Sequence, residues 1–281
     1  MKIKTVDYGS ASAGKDFVCS LHETGFAVLH NHPIPDNLLK NLDCDWRSYF
    51  DSEEKARYLF TNHSVQGERA GFFPLQVSET AVRHATKDLK EFFHVVPDGP
   101  LPPECARSTY GYKELGLTMG AAMLGWLQEY TPASRIEHLD ESLSDMLCEH
   151  ASLLRILHYP PLSGLERQDA VRAAAHEDIN LLTILPVSEQ PGLQAKDNDG
   201  NWIEIFGGQG DILINSGDML REATGGYYPS TTHRVINPTN GEQNISRLSM
   251  PFFLTPRRDV ILSKRYTAGG YLDERLNLIN R

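Results

Sequence analysis

The sequence predicts a mixed α and β fold in which a β-rich core follows a mainly helical N-terminal part. In residues 151–256, short apolar runs are separated by Gly, Pro, Asn and Asp. Regularly spaced short strands with such turn signals are typical of a sandwich or barrel. Before residue 150 the apolar runs are longer and have helical spacing. We therefore expect a jelly-roll core with an N-terminal helical elaboration.

Four helices are predicted in the first half of the chain, at residues 38–50, 52–59, 113–130 and 139–151. Acidic residues near the start of the second segment favour a helix N-terminus there. Thr131-Pro132 ends the third segment, because the residue before a proline is disfavoured in the helical region. Four prolines between residues 97 and 103 indicate a loop between the early and middle segments.

Six strands are predicted in the second half, at residues 153–159, 181–187, 202–205, 211–215, 232–236 and 245–254. The boundary near residue 150 has no linker-like composition. We therefore expect one oxygenase-sized domain over residues 1–281. Within it, residues 1–150 form the elaboration, residues 151–256 form the core, and residues 257–281 form a C-terminal segment.

Composition excludes several classes of function. The formal net charge of −10 disfavours a broad electrostatic grip on nucleic acid. No stretch approaches the ~20 apolar residues that a membrane-spanning helix needs. The N-terminal sequence MKIKTVDYGS has no apolar core typical of a secretory signal. The four cysteines form no CxxC pair and are interpreted as reduced thiols. We expect a cytoplasmic protein that binds neither nucleic acid nor membrane.

One histidine–carboxylate pair has the spacing of metal ligands. Side chains at positions i and i+2 of an extended segment share a face, so His176 and Asp178 can reach one ion. His233, on a later predicted strand, supplies a third ligand. Two imidazoles and one carboxylate form the facial triad of non-haem iron(II) sites, which leaves coordination positions open. A zinc-protease HExxH motif is excluded because Asn180 stands where its second histidine is required.

The His176–Asp178 pattern alone is a weak signal, because the chain has eleven histidines. His30 and His32 have the same spacing but precede Pro33 and have no partner pattern, so they are interpreted as a loop.

Arg247 and Ser249 form a second candidate site just after the third metal ligand. On a strand, both side chains point to the same face, and a guanidinium beside a hydroxyl can hold a carboxylate. The alternative is an arginine paired with a structural Asp or Glu. A metal triad in the same strand-rich half favours the carboxylate site.

These motifs together make the chain resemble the iron(II)/2-oxoglutarate-dependent dioxygenases, in the isopenicillin N synthase-like group (the iron/ascorbate oxidoreductase family). The resemblance spans roughly residues 16–256, and its C-terminal motifs match in order and spacing. They are His176-Glu-Asp178, Leu182-Thr-Ile-Leu185, Gly217-Asp218-Met219-Leu220, His233-Arg-Val235 and Arg247-Leu-Ser249. Two N-terminal segments resemble helical segments of the family. They are Thr24-Gly25-Phe26-Ala27-Val28 and Asp88-Leu-Lys90-Glu91-Phe92.

The resemblance implies a double-stranded β-helix, or jelly roll, with iron(II) inside one mouth. It also implies that Arg247 and Ser249 bind the distal carboxylate of the co-substrate 2-oxoglutarate, and that Tyr159 adds a hydroxyl contact. The strand before Tyr159 departs from the family pattern. Leu157 and His158 stand where Asn and Tyr are common. This departure affects contacts of that strand with the metal-proximal carboxylate.

The function implied is the oxidation of a small organic substrate by dioxygen, through hydroxylation or desaturation, coupled to decarboxylation of 2-oxoglutarate to succinate. Two alternatives stay open. One is an iron oxidase of the same fold that uses ascorbate or the substrate's own electrons, and the other is a jelly-roll binding module without turnover. Two aromatic pairs are candidate substrate contacts. They are Phe72-Phe73 and Tyr227-Tyr228.

Overall fold

The computed structural model describes residues 2–65, 68–77, 87–167, 169–188, 190–238 and 243–279. The α-helices of these residues are α1 (Ala13–Thr24), α2 (Asp36–Asp51), α3 (Pro103–Tyr130), α4 (Asp218–Ala223) and α5 (Ala268–Ile279). The strands before residue 150 are β1 (Thr5–Asp7), β2 (Phe26–His30), β3 (Ser64–Val65), β4 (Glu68–Arg69), β5 (Gly71–Phe73) and β6 (Glu91–Val95). The later strands are β7 (Leu153–Tyr159), β8 (Ala173–His176), β9 (Leu182–Pro186), β10 (Leu193–Lys196), β11 (Trp202–Glu204), β12 (Ile212–Ser216), β13 (His233–Val235), β14 (Arg247–Ser249) and β15 (Phe252–Leu254).

Two sheets face each other and form the predicted jelly roll. The major sheet has the order β1-β2-β12-β9-β15-β7-β6-β5, with β14 also paired to β7, and the minor sheet has the order β11-β10-β13-β8. Phe26, Val28 and Leu213 of the major sheet pack with Ala195 of the minor sheet at one end of the sandwich. The interior between the sheets therefore closes at that end.

The outer face of the major sheet packs on the helices. Leu154 and Ile156 of β7 belong to the main hydrophobic core, whereas Leu157 belongs to a cluster on the opposite face. This separation follows from the alternation of side chains along a strand. Helix α3 crosses the sheet closely at Gly120, where a Cβ atom would collide with Leu254 of β15.

The predicted strands and two of the predicted helices are confirmed. The segment at residues 38–50 lies within α2, and the segment at residues 113–130 is the last part of α3, which begins at Pro103. A proline is well tolerated there because the first helical N–H has no intrahelical acceptor. The segment at residues 52–59 forms a short 3₁₀ helix, Glu53–Tyr58. The last predicted strand is divided into β14 and β15 around Pro251, which has no N–H for a ladder.

Three local predictions were wrong. Residues 139–151 form turns rather than a helix, because the Ser142 hydroxyl accepts the N–H of Asp145 and competes with helical pairing. Phe26–His30 and Glu91–Val95 resemble helical family segments but form strands that pair with β12 and β7. Both runs are apolar enough to be buried in the major sheet.

The N-terminal half therefore contributes β1, β2, β5 and β6 to the major sheet as well as three helices. The division of the domain at residues 150 and 257 stays a prediction. Within the described part of the chain, no helix is long and apolar enough to cross a membrane.

Candidate metal centre

The three residues predicted to bind a metal converge at the mouth of the minor sheet. His176 ends β8 and His233 begins β13, and the two are register partners across the ladder. Asp178 lies in the loop after β8, so the expectation that it shares a strand with His176 was wrong. The loop nevertheless turns its carboxylate toward both rings. One ligand atom from each of the three residues lies within 4.8 Å of the other two.

Backbone hydrogen bonds set the orientation of both imidazole rings. His176 Nδ1 is 2.8 Å from the carbonyl oxygen of Ala174, and His233 Nδ1 is 3.1 Å from that of Thr231. A carbonyl oxygen can only accept, so each Nδ1 carries the proton and each Nε2 has a free lone pair. Each Nε2 lies 3.8 Å from Oδ1 of Asp178. The metal-binding nitrogens thus face the same carboxylate oxygen.

The two oxygens of Asp178 have different surroundings. Oδ2 accepts hydrogen bonds from Thr183 Oγ1 at 2.6 Å and from Asn215 Nδ2 at 2.8 Å, which leaves Oδ1 for a metal. Burial by itself would raise the pKa of this carboxyl group. The neighbouring His233 and His176 and these two hydrogen bonds outweigh burial and lower the pKa of Asp178. The residue is therefore a buried anion, as a divalent ion requires.

Desolvation, with the adjacent ring of His233, lowers the pKa of His176 and favours its neutral, metal-binding form. The side chain of His176 is 41% exposed, against 11% for His233 and 6% for Asp178. The centre is therefore open on the side of His176. Two neutral nitrogens and one anionic oxygen fit iron(II) by charge and by donor type.

Helix α4 fixes the loop that carries Asp178. The N–H of Asp218 donates to the carbonyl oxygen of Asp178 at 2.7 Å, and the N–H of Gly217 donates to Leu181 at 3.0 Å. A Cβ atom at position 217 would collide with the backbone oxygen of Asn180, so only glycine permits this approach.

Thr183 and Asn215 had no role in the sequence prediction. Their signal was a polar residue inside a run that is otherwise apolar and buried.

Arg247 and Ser249 lie on β14 beside the strand that carries Tyr159. Arg247 is the register partner of Tyr159, and Ser249 is the partner of Leu157, so these side chains share one region of the interior. Arg247 Nη1 donates to the carbonyl oxygens of Gln190 and Pro191, whereas its buried Nε has no hydrogen-bond partner among the described residues.

No carboxylate of the described ranges lies within ion-pair distance of Arg247. Burial lowers the pKa of Arg247 to about 10, so the guanidinium is still charged at neutral pH. Burial also raises the pKa of Tyr159, which keeps its hydroxyl protonated. A buried cation without a protein anion, next to a hydroxyl, fits a bound carboxylate.

Further charges near this site were missed by sequence reasoning. Lys90 Nζ is 2.8 Å from Oδ2 of the buried Asp88, and Oδ1 of Asp88 accepts the N–H of Ala174 in β8. The positive charge of Lys90 opposes protonation of His176 and also lowers the pKa of Tyr159 against the larger effect of burial. Lys90 thus lies between the metal centre and the Arg247 region.

The alternation of β5 separates the two predicted phenylalanine contacts. Phe72 packs into the main core against Tyr49 and Phe50, on the helical side of the sheet. Phe73 points to the interior, where its ring stacks on Phe92 at 4.5 Å in the cluster that contains Tyr159. Phe73 therefore has the position of a pocket wall, and Phe72 has the position of a core residue.

The two predicted tyrosine contacts pack against the N-terminal helices. Tyr227 stacks on His22 of α1 with ring centroids 4.0 Å apart. Tyr228 is fully buried in the main core, and its hydroxyl is 2.6 Å from Thr131 Oγ1. This packing accounts for both rings, and a substrate role for them stays a prediction.

The chain matches known families and structures over nearly all of its length. Residues 150–256 match the profile of the 2OG-Fe(II) oxygenase superfamily, and residues 6–115 match that of the N-terminal region of non-haem dioxygenases in morphine synthesis. Clavatol oxidase of Penicillium crustosum is 27% identical, with 90% of this chain and 82% of that protein covered. The 2-oxoglutarate-dependent dioxygenase 11 of Oryza sativa is 27% identical, with 89% and 71% covered.

Solved structures share the whole fold. A protein of Shewanella oneidensis that is assigned as an oxygenase is 44% identical, with a TM-score of 0.88 and with 100% of this chain and 99% of that chain covered. A protein of Neurospora crassa, solved in complex with alpha-KG, is 20% identical, with a TM-score of 0.75 and with 97% and 95% covered. At that identity the second match shows the fold alone.

Proposed function

Because the chain belongs to the 2-oxoglutarate–iron(II) oxygenase superfamily, we propose that His176, Asp178 and His233 hold its iron(II) and that Arg247 and Ser249 hold 2-oxoglutarate. The family couples oxidation of an organic substrate to decarboxylation of 2-oxoglutarate. This chain is accordingly an oxidoreductase that uses iron(II), 2-oxoglutarate and dioxygen. Which residues perform each task, and on which substrate, is the content of the proposal.

The observation that carries the proposal is the division of labour among the ligand atoms. Both Nδ1 atoms are occupied by backbone carbonyls and Oδ2 of Asp178 is occupied by two donors, while both Nε2 atoms and Oδ1 point toward one another. A histidine pair that served only packing would not need three unpaired donor atoms on a common point. Partners that orient the ligands in this way are typical of functional metal sites.

Iron(II), with its co-substrate, supplies the activation of dioxygen that oxidises a C–H bond of the substrate. The protein supplies the rest. Asp178 and its two donors keep one anionic ligand fixed, and the Nδ1 hydrogen bonds keep both rings from rotating. Three protein ligands leave the remaining coordination positions free for exogenous groups.

The carboxylate site is proposed on independent evidence. The buried guanidinium of Arg247 has an unpaired Nε, and Tyr159 is its neighbour across the ladder. A dicarboxylate that reaches the metal with one end would place its other end within this buried region, on the same face of the interior. Ser249 would add an O–H donor from the same face of β14.

The organic substrate is proposed to be a small molecule that enters beside His176, the most exposed ligand. The stacked rings of Phe73 and Phe92 form an apolar wall of the same interior. This wall favours a substrate with an apolar or aromatic body. The identity of that body is not encoded in any motif of the chain.

The test is anaerobic loading of the full chain with iron(II) and 2-oxoglutarate, followed by aerobic assay against a panel of small aromatic and aliphatic compounds. Dioxygen uptake and succinate release are measured in parallel, with ascorbate present. Equal amounts of both, increased by one class of compound, are expected. Dioxygen uptake without succinate would identify an oxidase that does not use 2-oxoglutarate. Failure to bind either iron(II) or 2-oxoglutarate would refute the proposed site.

A further inference from the structure

An arginine of the C-terminal helix reaches the segments that carry the proposed metal ligands. Arg275 lies on α5, and its Nη2 is 3.1 Å from Oδ2 of Asp218 and 3.9 Å from Oε2 of Glu177. Glu177 is the residue between His176 and Asp178. One guanidinium nitrogen thus joins the ligand segment after β8 to the start of α4.

Each carboxylate that Arg275 contacts is connected to a different ligand. Asp218 donates its N–H to the carbonyl oxygen of Asp178 at 2.7 Å. Glu177 accepts a short hydrogen bond from the hydroxyl of Thr232, which directly precedes His233. Two acidic side chains therefore link the segments of all three ligands, and the same cation holds both.

The burial of Asp218 makes this cation necessary. The carboxylate is 1% exposed and neither oxygen has a hydrogen-bond partner of good geometry among the described residues, so its compensation is ionic. Arg221 contributes from 3.5 Å, and Arg275 is closer. Burial and the charge of Asp218 raise the pKa of Tyr271, which brings a second α5 side chain to the same carboxylate.

Helix α5 is itself fixed to the domain, so it can serve as a support. Ala268 and Tyr271 belong to the main core, and the N–H of Ala268 donates to Val260 at 2.8 Å. On its solvent side, Asp273 forms an exposed ion pair with Arg258 at 2.7 Å. The helix thus carries one ion pair directed at the ligand segments and one directed at solvent, which permits a matched comparison.

We propose that Arg275 is a positioning residue, through which α5 keeps the three metal-ligand segments in register. This inference rests on the proposed function, because it takes His176, Asp178 and His233 as the ligands. Arg275 touches neither the metal nor the substrate. Its loss would leave Asp218 undercompensated and Glu177 held only by Thr232, and the loop of Asp178 would lose a fixed anchor. Outer partners of metal ligands typically contribute about 10–100-fold to metal affinity.

The test measures metal binding by the full chain in the variants Arg275→Gln, Arg275→Lys and Asp273→Asn. Affinity for cobalt(II) is measured by competition with a chromophoric chelator, and the visible spectrum of bound cobalt(II) reports ligand geometry. Because Arg275 is partly exposed, we expect about tenfold weaker binding and an altered spectrum for Arg275→Gln, at the lower end of that range. Arg275→Lys should restore part of the affinity, because an ammonium can pair with Asp218. Asp273→Asn should resemble the wild type.

Glu177→Gln supplies a second measure that does not depend on Arg275→Gln being stable. The amide keeps an acceptor for Thr232 and removes only the charge that Arg275 contacts. Its effect on cobalt(II) affinity should be smaller in the Arg275→Lys background than in the wild type. If Arg275→Lys and Glu177→Gln both match Asp273→Asn in affinity and spectrum, the inference is overturned. A wild-type chain that binds no metal would instead overturn the proposed function.

Discussion

Replacing Asp178 by Asn or by Ala should remove metal binding equally but should affect folding differently. Both variants lose the only anionic ligand, so neither should bind iron(II) or turn over. In the metal-free protein, however, Oδ2 accepts hydrogen bonds from Thr183 and Asn215. Asn keeps a carbonyl oxygen with two lone pairs at this place, whereas Ala keeps no acceptor.

The expected difference in stability follows from those two donors. Each buried donor left without a partner costs about 1–3 kcal/mol, so the Ala variant should lose roughly 2–4 kcal/mol of unfolding free energy. The Asn variant should lose much less, since its amide group can also donate to the free Nε2 of His176 or His233. It is the better variant for testing Asp178 as a ligand, because its fold is preserved.

The assay is urea unfolding of wild type and both variants, with and without cobalt(II). A metal at about 100 times its dissociation constant stabilises the folded state by about 2.7 kcal/mol, so the wild type should gain and the variants should not. A similar gain in the Asn variant would show that Asp178 is not a ligand. Equal stability of the Ala and Asn variants without metal would show that Thr183 and Asn215 do not depend on Asp178.

Three further predictions test the remaining parts of the site. Arg247→Lys should weaken 2-oxoglutarate binding in anaerobic titration by on the order of 3 kcal/mol, since an ammonium cannot reproduce the planar fork, and unchanged affinity would exclude Arg247 from the carboxylate site. Thr183→Val should weaken cobalt(II) binding about 10–100-fold through loss of the 2.6 Å hydrogen bond to Asp178, and an effect under twofold would contradict that role. Phe72→Ala should cost about 3–5 kcal/mol of stability because its ring is buried in the main core. Phe73→Ala should instead raise KM for the organic substrate, and the reverse assignment would show that the two rings were exchanged.

The sequence carried the metal ligands and the carboxylate site because their signals are local. His176 and Asp178 are two residues apart, Arg247 and Ser249 are two residues apart, and their order along the chain matches a family. Strands of the core were predicted for the same reason, because alternation and turn residues are visible within a few positions. The helix expected at residues 139–151 failed because Ser142 satisfies backbone N–H groups that a helix would use.

The partners of the ligands could not be predicted because they come from distant parts of the chain. Asn215 reaches Asp178 from β12, and Asp88 reaches β8 from the segment before β6, and only the pairing of strands brings them together. A polar residue in a buried strand signals that a partner exists, but the partner itself is set by the topology. Phe72 and Phe73 show the same limit, since adjacent identical residues are distinguished only by the face that each presents.

The distribution of charge around the site links its architecture to its chemistry. The protein as a whole is acidic, with a formal net charge of −10, yet Lys90, Arg172 and Arg247 are all buried near the interior site. Asp88 compensates Lys90, whereas no described carboxylate forms an ion pair with Arg247. Burying a cation without an anion is costly, so a fold that retains one has an anion delivered to it. A dicarboxylate co-substrate meets that requirement and also reaches the metal. The buried Arg247 thus explains how an acidic protein can bind a doubly negative molecule.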